Sequence, residues 1–405
     1  MNLRTRADPS ATILRMAFIA KEIPGYKAMR SKLRSYILLQ NLANGLVSPF
    51  MSFLAAVTGV PSVGIGIVSS ASSFFGGIVQ LPLRRAGRVE SLLKISTLLL
   101  SVLWLIMAFM AYGNPLLYVL TYVAIALIGG VNSFAWSVIM ERLSRGSRGR
   151  VLATYAFYGS IGSLIATLVT GIFIGSNYAL MRYVFITSAL LILINTINIW
   201  TLKSMDPEPQ APILSSPLRL LMSDKRLTKF LLVNMLFAIV WSFAWPLFPL
   251  AQVYLLSMNA EQVAIVNVIS GASTVLLQRE VGRLFDRNRK LVMFLGRFLL
   301  IIFPLSYALA PNVYVIYLAN VVAGFTNSAS NIAYISFVYD NSRDRKTAIG
   351  LYNLFYGVGT LIGSLTGSYL VTLVSGYVGL RNSVRYLLLG DAVARAIVSV
   401  LYATV

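Results

Sequence analysis

Twelve apolar runs, each about twenty residues or longer, follow one another along this chain and leave room for little else. They lie at residues 35–58, 62–83, 91–112, 115–140, 151–175, 181–202, 229–256, 262–282, 291–310, 312–339, 347–374 and 383–404. A hydrocarbon core about 30 Å thick takes roughly 20 helical residues to cross. Lipid offers the backbone no partner, so a spanning segment is either a helix or a strand of a closed barrel. The runs lack the two-residue alternation of barrel strands. The expected fold is therefore an all-α integral membrane protein. The composition agrees, with 57% apolar and only 12% charged residues.

The few charges are not scattered. Of the 34 Lys and Arg residues, 29 fall within residues 1–34 or in every second gap between runs. Only Arg182, Arg381 and Arg385 lie in or at the edge of the alternate gaps, while Arg297 and Arg395 lie inside runs. Positive residues stay on the cytoplasmic side. That predicts an even number of spans, both termini in the cytoplasm and a multi-pass protein of the cell membrane. The net charge of +21 is thus read as a topology signal, and no nucleic-acid partner is expected. Arg15, Lys21 and Pro24 interrupt any apolar core within residues 1–34, which is unlike a cleavable signal peptide. These residues are expected to lie as a basic, weakly amphipathic segment at the anionic inner leaflet. Cys and His are both absent. That excludes disulfides, thiolate nucleophiles, imidazole bases and His/Cys metal sites, and no cofactor is expected.

Residues 203–228 differ from their surroundings. Asp206-Pro-Glu-Pro-Gln-Ala-Pro212 and Ser215-Ser-Pro217 break helices, and Arg219, Asp224, Lys225 and Arg226 are solvated. The stretch reads as a cytoplasmic linker between a six-helix bundle at 35–202 and a second at 229–405. The halves repeat at an offset of about 200 residues. Ser48-Pro49-Phe50 is echoed by Trp245-Pro246-Leu247, Gly130-Val-Asn132-Ser133 by Gly324-Phe-Thr-Asn327-Ser328, and Phe157-Tyr158-Gly159 by Phe355-Tyr356-Gly357. Six helices separate the copies, so both have the same orientation. This is a parallel repeat about an axis along the membrane normal.

After the second run of each half comes a charged knot: Gln80-Leu-Pro-Leu-Arg84-Arg85-Ala-Gly87-Arg88 and Gly282-Arg-Leu-Phe-Asp286-Arg287-Asn-Arg289-Lys290. In these residues the chain resembles the major facilitator superfamily. That family carries Gly-x-Leu-x-Asp-Arg-x-Gly-Arg-Arg between helices 2 and 3 and a weaker copy between helices 8 and 9. Here the second copy is the better one. The first lacks the acid, with Gln80 and Arg84 where Gly and Asp are expected. The resemblance implies twelve helices in two pseudo-symmetric six-helix bundles, rocking about a midplane cavity. It also implies a charge latch at the inner face. Its candidates are Gly282, Asp286, Arg287, Arg289, Glu141, Arg150, Asp340 and Arg345, with Arg85 and Arg88 from the degenerate copy. Ordinary anchoring of these charges at the headgroups is the alternative.

Polar residues at one depth inside a lipid-bound bundle point to a cavity. Gln40 and Asn44 lie four apart on helix 1, and Asn327, Asn331 and Tyr334 share a face of helix 10. Asn132, Asn267, Asn353 and Tyr356 fall near the same depth on helices 4, 8 and 11. Trp136 and Trp241 are aromatic candidates for stacking on a solute. The competing role for each Asn is a joint between helices.

A carboxylate is missing from the middle of every helix that would line that cavity. The mid-membrane acid is Asp391 in helix 12, with Arg395 four residues on, which suggests a buried ion pair. Arg297 is a further buried candidate. The antiporter element Gly-Pro-x-x-Gly-Gly is also missing from helix 5, which reads Gly159-Ser-Ile-Gly162-Ser-Leu-Ile-Ala166. The reading is a non-enzymatic secondary transporter, expected as a monomer, that moves a small polar or amphipathic organic solute. Its alternatives are a multidrug-type proton antiporter or exporter, and a lipid-handling membrane protein of the same fold.

Overall fold

Prolines and asparagines set the helix ends. The computed structural model describes the backbone of residues 24–83, 88–143, 148–202, 225–334, 337–338 and 345–404. Pro115 opens a helix where a missing N–H costs nothing. Asn259 and Gln262 form a reciprocal capping box at 2.9 and 3.1 Å. Asn288 and Asn312 cap the two helices that follow, accepting from Leu291 N and Tyr314 N.

The elements in chain order are α1 (Pro24–Val47, continued through a 3₁₀ turn at Ser48–Phe50 into Met51–Val57), α2 (Ser62–Ile78, then Gln80–Leu83), α3 (Val89–Ile106, ending in a π turn), α4 (Pro115–Leu143), α5 (Arg148–Ile174) and α6 (Met181–Trp200). The second half has α7 (Lys225–Phe243, broken and resumed at Leu247–Leu250, then a π turn Ala251–Leu255), α8 (Ala260–Arg287), α9 (Arg289–Phe298 and Ile302–Leu309 about a 3₁₀ turn), α10 (Val313–Val321 and Ala323–Ala329, ending in a π turn at Ser330–Tyr334), α11 (Arg345–Val378) and α12 (Leu380–Val400). No strand occurs among the described residues.

Nine described helices are long and apolar enough to cross a membrane. Ser62–Ile78 and Val313–Ala329 are apolar but shorter. The twelfth, α12, carries Arg381, Arg385, Asp391 and Arg395. Its Asp391 and Arg395 are buried, so their charges never meet lipid.

Two boundaries differ from the sequence expectation. The first helix begins at Pro24, so the end of the basic segment extends α1; no helix breaker stands between Gly25 and Val47 except glycines the helix tolerates. Likewise α7 begins at Lys225, inside the expected linker. Residues 203–224 lie outside the described residues, as do Arg84, Arg85, Gly87 and Asp340.

Packing repeats the duplication in three dimensions. In the first half α1 packs on α5 and α6, α2 on α4, and α3 on α4 and α6. The second half matches pair for pair: α7 on α11 and α12, α8 on α10, and α9 on α10 and α12. Close approach of α7 and α11 needs a missing side chain. A Cβ on Gly363 would collide with the carbonyl of Ile239 and the hydroxyl of Ser242. The two bundles meet where α2 runs along α11 and α5 along α8, and where Met51–Val57 of α1 packs against α7 beyond its break.

A cavity between the bundles and two buried arginines

Helix breaks build this region, because each frees a carbonyl that another helix takes up. Pro49 cannot donate to the Gly45 carbonyl, and Thr167 of α5 donates to it instead at 2.9 Å. Pro304 likewise frees the carbonyl of Leu300, which accepts from Arg395 Nη1 at 2.8 Å. In α7 the amide of Trp245 turns to Ser242. The carbonyl of Trp241 then accepts from Arg395 Nη2 at 2.8 Å. The third side of that guanidinium, Nε, lies 2.7 Å from Asp391 Oδ2. Arg395 therefore ties α7, α9 and α12 at one point.

Beside these breaks lies a cavity of about 280 Å³. Pro49, Ser52 and Phe53 of α1 and Ser69 of α2 form one wall. Trp245, Phe248, Pro249 and Gln252 of α7, Val263, Val266 and Asn267 of α8, Phe303 and Tyr307 of α9, and Asn320 of α10 form the other. No charged residue lines it. The carboxamides are held by their N–H groups: Gln252 donates to Tyr307 OH, Asn267 to the Val263 carbonyl and Asn320 to the Ile316 carbonyl. Their oxygens are left as acceptors.

A ladder of rings runs from the charged end of the second bundle to this cavity. Phe337 stacks on Phe230 at 4.3 Å, Phe230 on Tyr352 at 6.2 Å, and Tyr352 on Tyr356 at 6.2 Å. Tyr356 meets Trp241 at 6.0 Å, and Trp241 meets Trp245 at 5.1 Å. Aromatic faces on two helices thus form one continuous surface, half-buried at Tyr352, Tyr356, Trp241 and Trp245.

The residues expected in the cavity fall into separate groups. Asn267 lines it, and Trp241 and Tyr356 belong to the ladder. Asn327 is exposed on α10 and donates to Ser270 and Thr274 of α8. Asn44 and Asn353 are half-buried, and the carbonyl of Asn353 lies against Gly77 of α2. The side chain of Asn331 lies outside the described residues. Asn132 is a joint within the first bundle: it accepts from Tyr36 OH at 2.8 Å and donates to Ser96 and Thr97 at 3.0 and 2.9 Å. Gln40 accepts from Asn195 at 3.2 Å, and Trp136 packs between Tyr36 and Tyr155. Tyr334 donates to the Met293 carbonyl at 2.8 Å and covers Arg297.

Among the charges proposed to latch the charged end, Arg88, Asp286, Arg287 and Arg289 are exposed, while Gly282 and Glu141 are half-buried. The side chains of Arg150 and Arg345 are outside the described residues, like Arg85 and Asp340. Sequence reasoning missed the ladder as a unit. Phe230, Tyr352 and Phe337 are far apart in sequence, and only packing aligns them.

A shift of about 200 residues places Thr97 on Arg297 and Asn195 on Arg395. The first bundle is knitted by neutral hydrogen bonds where the second uses two buried cations.

The family model described as Major Facilitator Superfamily matches residues 36–227 and 230–405. Among solved structures, the nucleoside transporter NupG is similar with a TM-score of 0.76 at 15% identity, covering 93% of this chain and 98% of that one. A bacterial homologue of the human lysosomal transporter Spinster, inward-facing and unoccupied, has a TM-score of 0.67 at 13% identity, covering 94% and 96%. A D-xylose–proton symporter has a TM-score of 0.64 at 14% identity, covering 91% and 96%. At such identities the likeness speaks for the fold alone. No curated protein matches the chain.

Proposed function

The chain belongs to the major facilitator superfamily, and from that premise we propose that it carries a small polar or amphipathic organic solute across the cell membrane by alternating access. One observation carries the reading. An uncharged cavity, rimmed by carboxamide oxygens and reached by a ladder of aromatic rings, lies between two bundles that meet along α2–α11 and α5–α8. Rings and well-placed polar groups together recognise a solute with a flat face and a hydrogen-bonding edge. The volume is near the lower end of the range of roughly 300–1,000 Å³ for small-molecule sites. It suits a solute the size of a nucleoside or a monosaccharide, the kinds of molecule that NupG and the xylose symporter are named for.

In this proposal the charged end faces the cytoplasm, with residues 35–202 and 229–405 as the moving bodies, the linker between them, and one chain as the working unit. The cavity contains no carboxylate, which supports facilitated movement over proton antiport. The test is entrance counterflow in proteoliposomes, begun with radiolabelled uridine and xylose and extended to amphipathic cations. Saturable counterflow of a neutral solute that moves no protons is expected. Counterflow seen only with amphipathic cations and an imposed pH gradient supports the exporter alternative. Absence of counterflow together with lipid flipping supports the lipid-handling alternative.

A further inference from the structure

The second bundle balances one of its two buried arginines and leaves the other without a counter-charge. Arg395 has Asp391. Arg297, 2% exposed in α9, lies within ion-pair distance of no carboxylate among the described residues. It is held by rings instead, 3.9 Å from the centroid of Tyr334, 4.6 Å from Phe237 and 5.4 Å from Tyr402. Its Nη2 donates to Asn234 Oδ1 at 3.2 Å, an oxygen that also accepts from Tyr402 OH at 3.1 Å.

That arrangement uses up the acceptor and strands two donors. Arg297 Nε and Asn234 Nδ2 are both buried without a partner. Turning the Asn234 amide over would let Nδ2 donate to the Tyr402 hydroxyl, but it would aim N–H groups at the guanidinium and leave Arg297 Nε unpaired. Ring faces stabilise a desolvated cation only modestly. Withdrawing an ion from water costs more than that, so the rings alone do not balance it. At the matching place in the first bundle Thr97 is neutral and bonded to Asn132, which shows that the fold itself does not require a cation there. An ionisable residue inside a membrane bundle marks a site by default. Here the missing element is both negative and rich in lone pairs.

We propose that Arg297 and Asn234 form a binding site for one small monovalent anion, either a halide or a small carboxylate. One cation balances one negative charge, so a phosphate dianion does not fit. Two stranded donors suit the two oxygens of a carboxylate or the single sphere of a halide. The site is separate from the transport reading, which rests on the cavity between the bundles and survives failure of the anion site.

The experiment uses the purified full chain in detergent, held in sulfate at constant ionic strength and titrated with sodium bromide or sodium acetate while thermal unfolding is followed. A saturable rise in Tm of several degrees is expected with at least one of them. Arg297→Gln abolishes the rise, and Asn234→Ala, which keeps the cation, weakens the apparent affinity several-fold. Saturation by bromide, with an anomalous difference peak against Arg297 Nε in crystals of the wild-type chain, identifies a halide site. Saturation by acetate alone identifies a carboxylate site. No shift with either anion overturns the proposal, because water alone then fills the gap. Equal shifts in wild type and in both variants overturn it as well.

Discussion

Arg395 serves as ion-pair partner and as cap for two broken helices, and the two roles separate by mutation. Asp391→Asn keeps the caps to Leu300 and Trp241 but leaves a buried cation unbalanced. Breaking a buried pair from one side typically costs about 3–5 kcal/mol, and a large drop in detergent Tm is the expected result. The double variant Asp391→Leu, Arg395→Met removes both charges together. It is expected to be the more stable of the two, although the Leu300 and Trp241 carbonyls lose their donor. A double variant no more stable than Asp391→Asn would show that capping, not charge balance, is what holds α7 and α9. The asparagines divide in a similar way. Asn132→Ala strips hydrogen bonds from Tyr36, Ser96 and Thr97, each buried group left unpaired costing about 1–3 kcal/mol. It should lower Tm and leave the KM for counterflow unchanged. Asn267→Ala removes a carboxamide that lines the cavity and donates only within its own helix; it should raise KM several-fold and barely move Tm.

Among elements, α7 and α11 show what periodicity conveys and where it stops. The sequence conveys that both are apolar spans and that Trp241 and Tyr356 are candidates for one cavity. It does not convey which neighbour each face meets. A polar residue at four-residue spacing presents the same pattern whether it lies on a helix joint, as Asn132 does, or on a cavity wall, as Asn267 does. The decisive quantity is the distance between helices, set by residues elsewhere, and Gly363 is one of them. Its α-carbon lies so close to the Ile239 and Ser242 backbone and hydroxyl that any added methyl must push the helices apart. Gly363→Ala is therefore expected to destabilise despite the better helix propensity of alanine, which by itself would favour the change by about 1 kcal/mol. A detergent Tm equal to or above wild type would refute the close approach. The charges of α12 are the converse case. The sequence shows Asp391 and Arg395 inside the apolar run at 383–404, and the fold explains how that run holds them, by burying the two against each other.

The whole molecule is caught with its charged end parted on one side. Residues Val275–Glu280 of α8 are all exposed. At 3.6 residues per turn six consecutive positions cover the full circumference, so this stretch is loosely covered, although Leu277 reaches Gly324 of α10. One heptad towards the opposite end, Gly271 lies against Leu164 of α5. Seven residues from each partner towards the charged end are Gln278 and Phe157, which share those faces; both are exposed, Phe157 by 56%. The α2–α11 contact has no such gap at its corresponding level, for Gly77 still lies against Asn353 and Gly357 against Ser73. Closure of the charged end is thus expected to continue the α5–α8 seam and bring Phe157 and Gln278 together. Exposed Asp286 and Arg287 lie at the same end and can change partners at the same time. The chain contains no cysteine, so Phe157→Cys with Gln278→Cys gives a clean cross-linking pair. A short bifunctional maleimide should join them slowly in the resting protein and several-fold faster when a transported solute favours the closed state. Joining them should stop counterflow. Adding Asp286→Asn should slow the cross-link again, because the carboxylate that draws the basic residues together is lost. A cross-linking rate indifferent to both solute and Asp286 would mean that this seam does not close during transport, and that the rocking axis lies elsewhere.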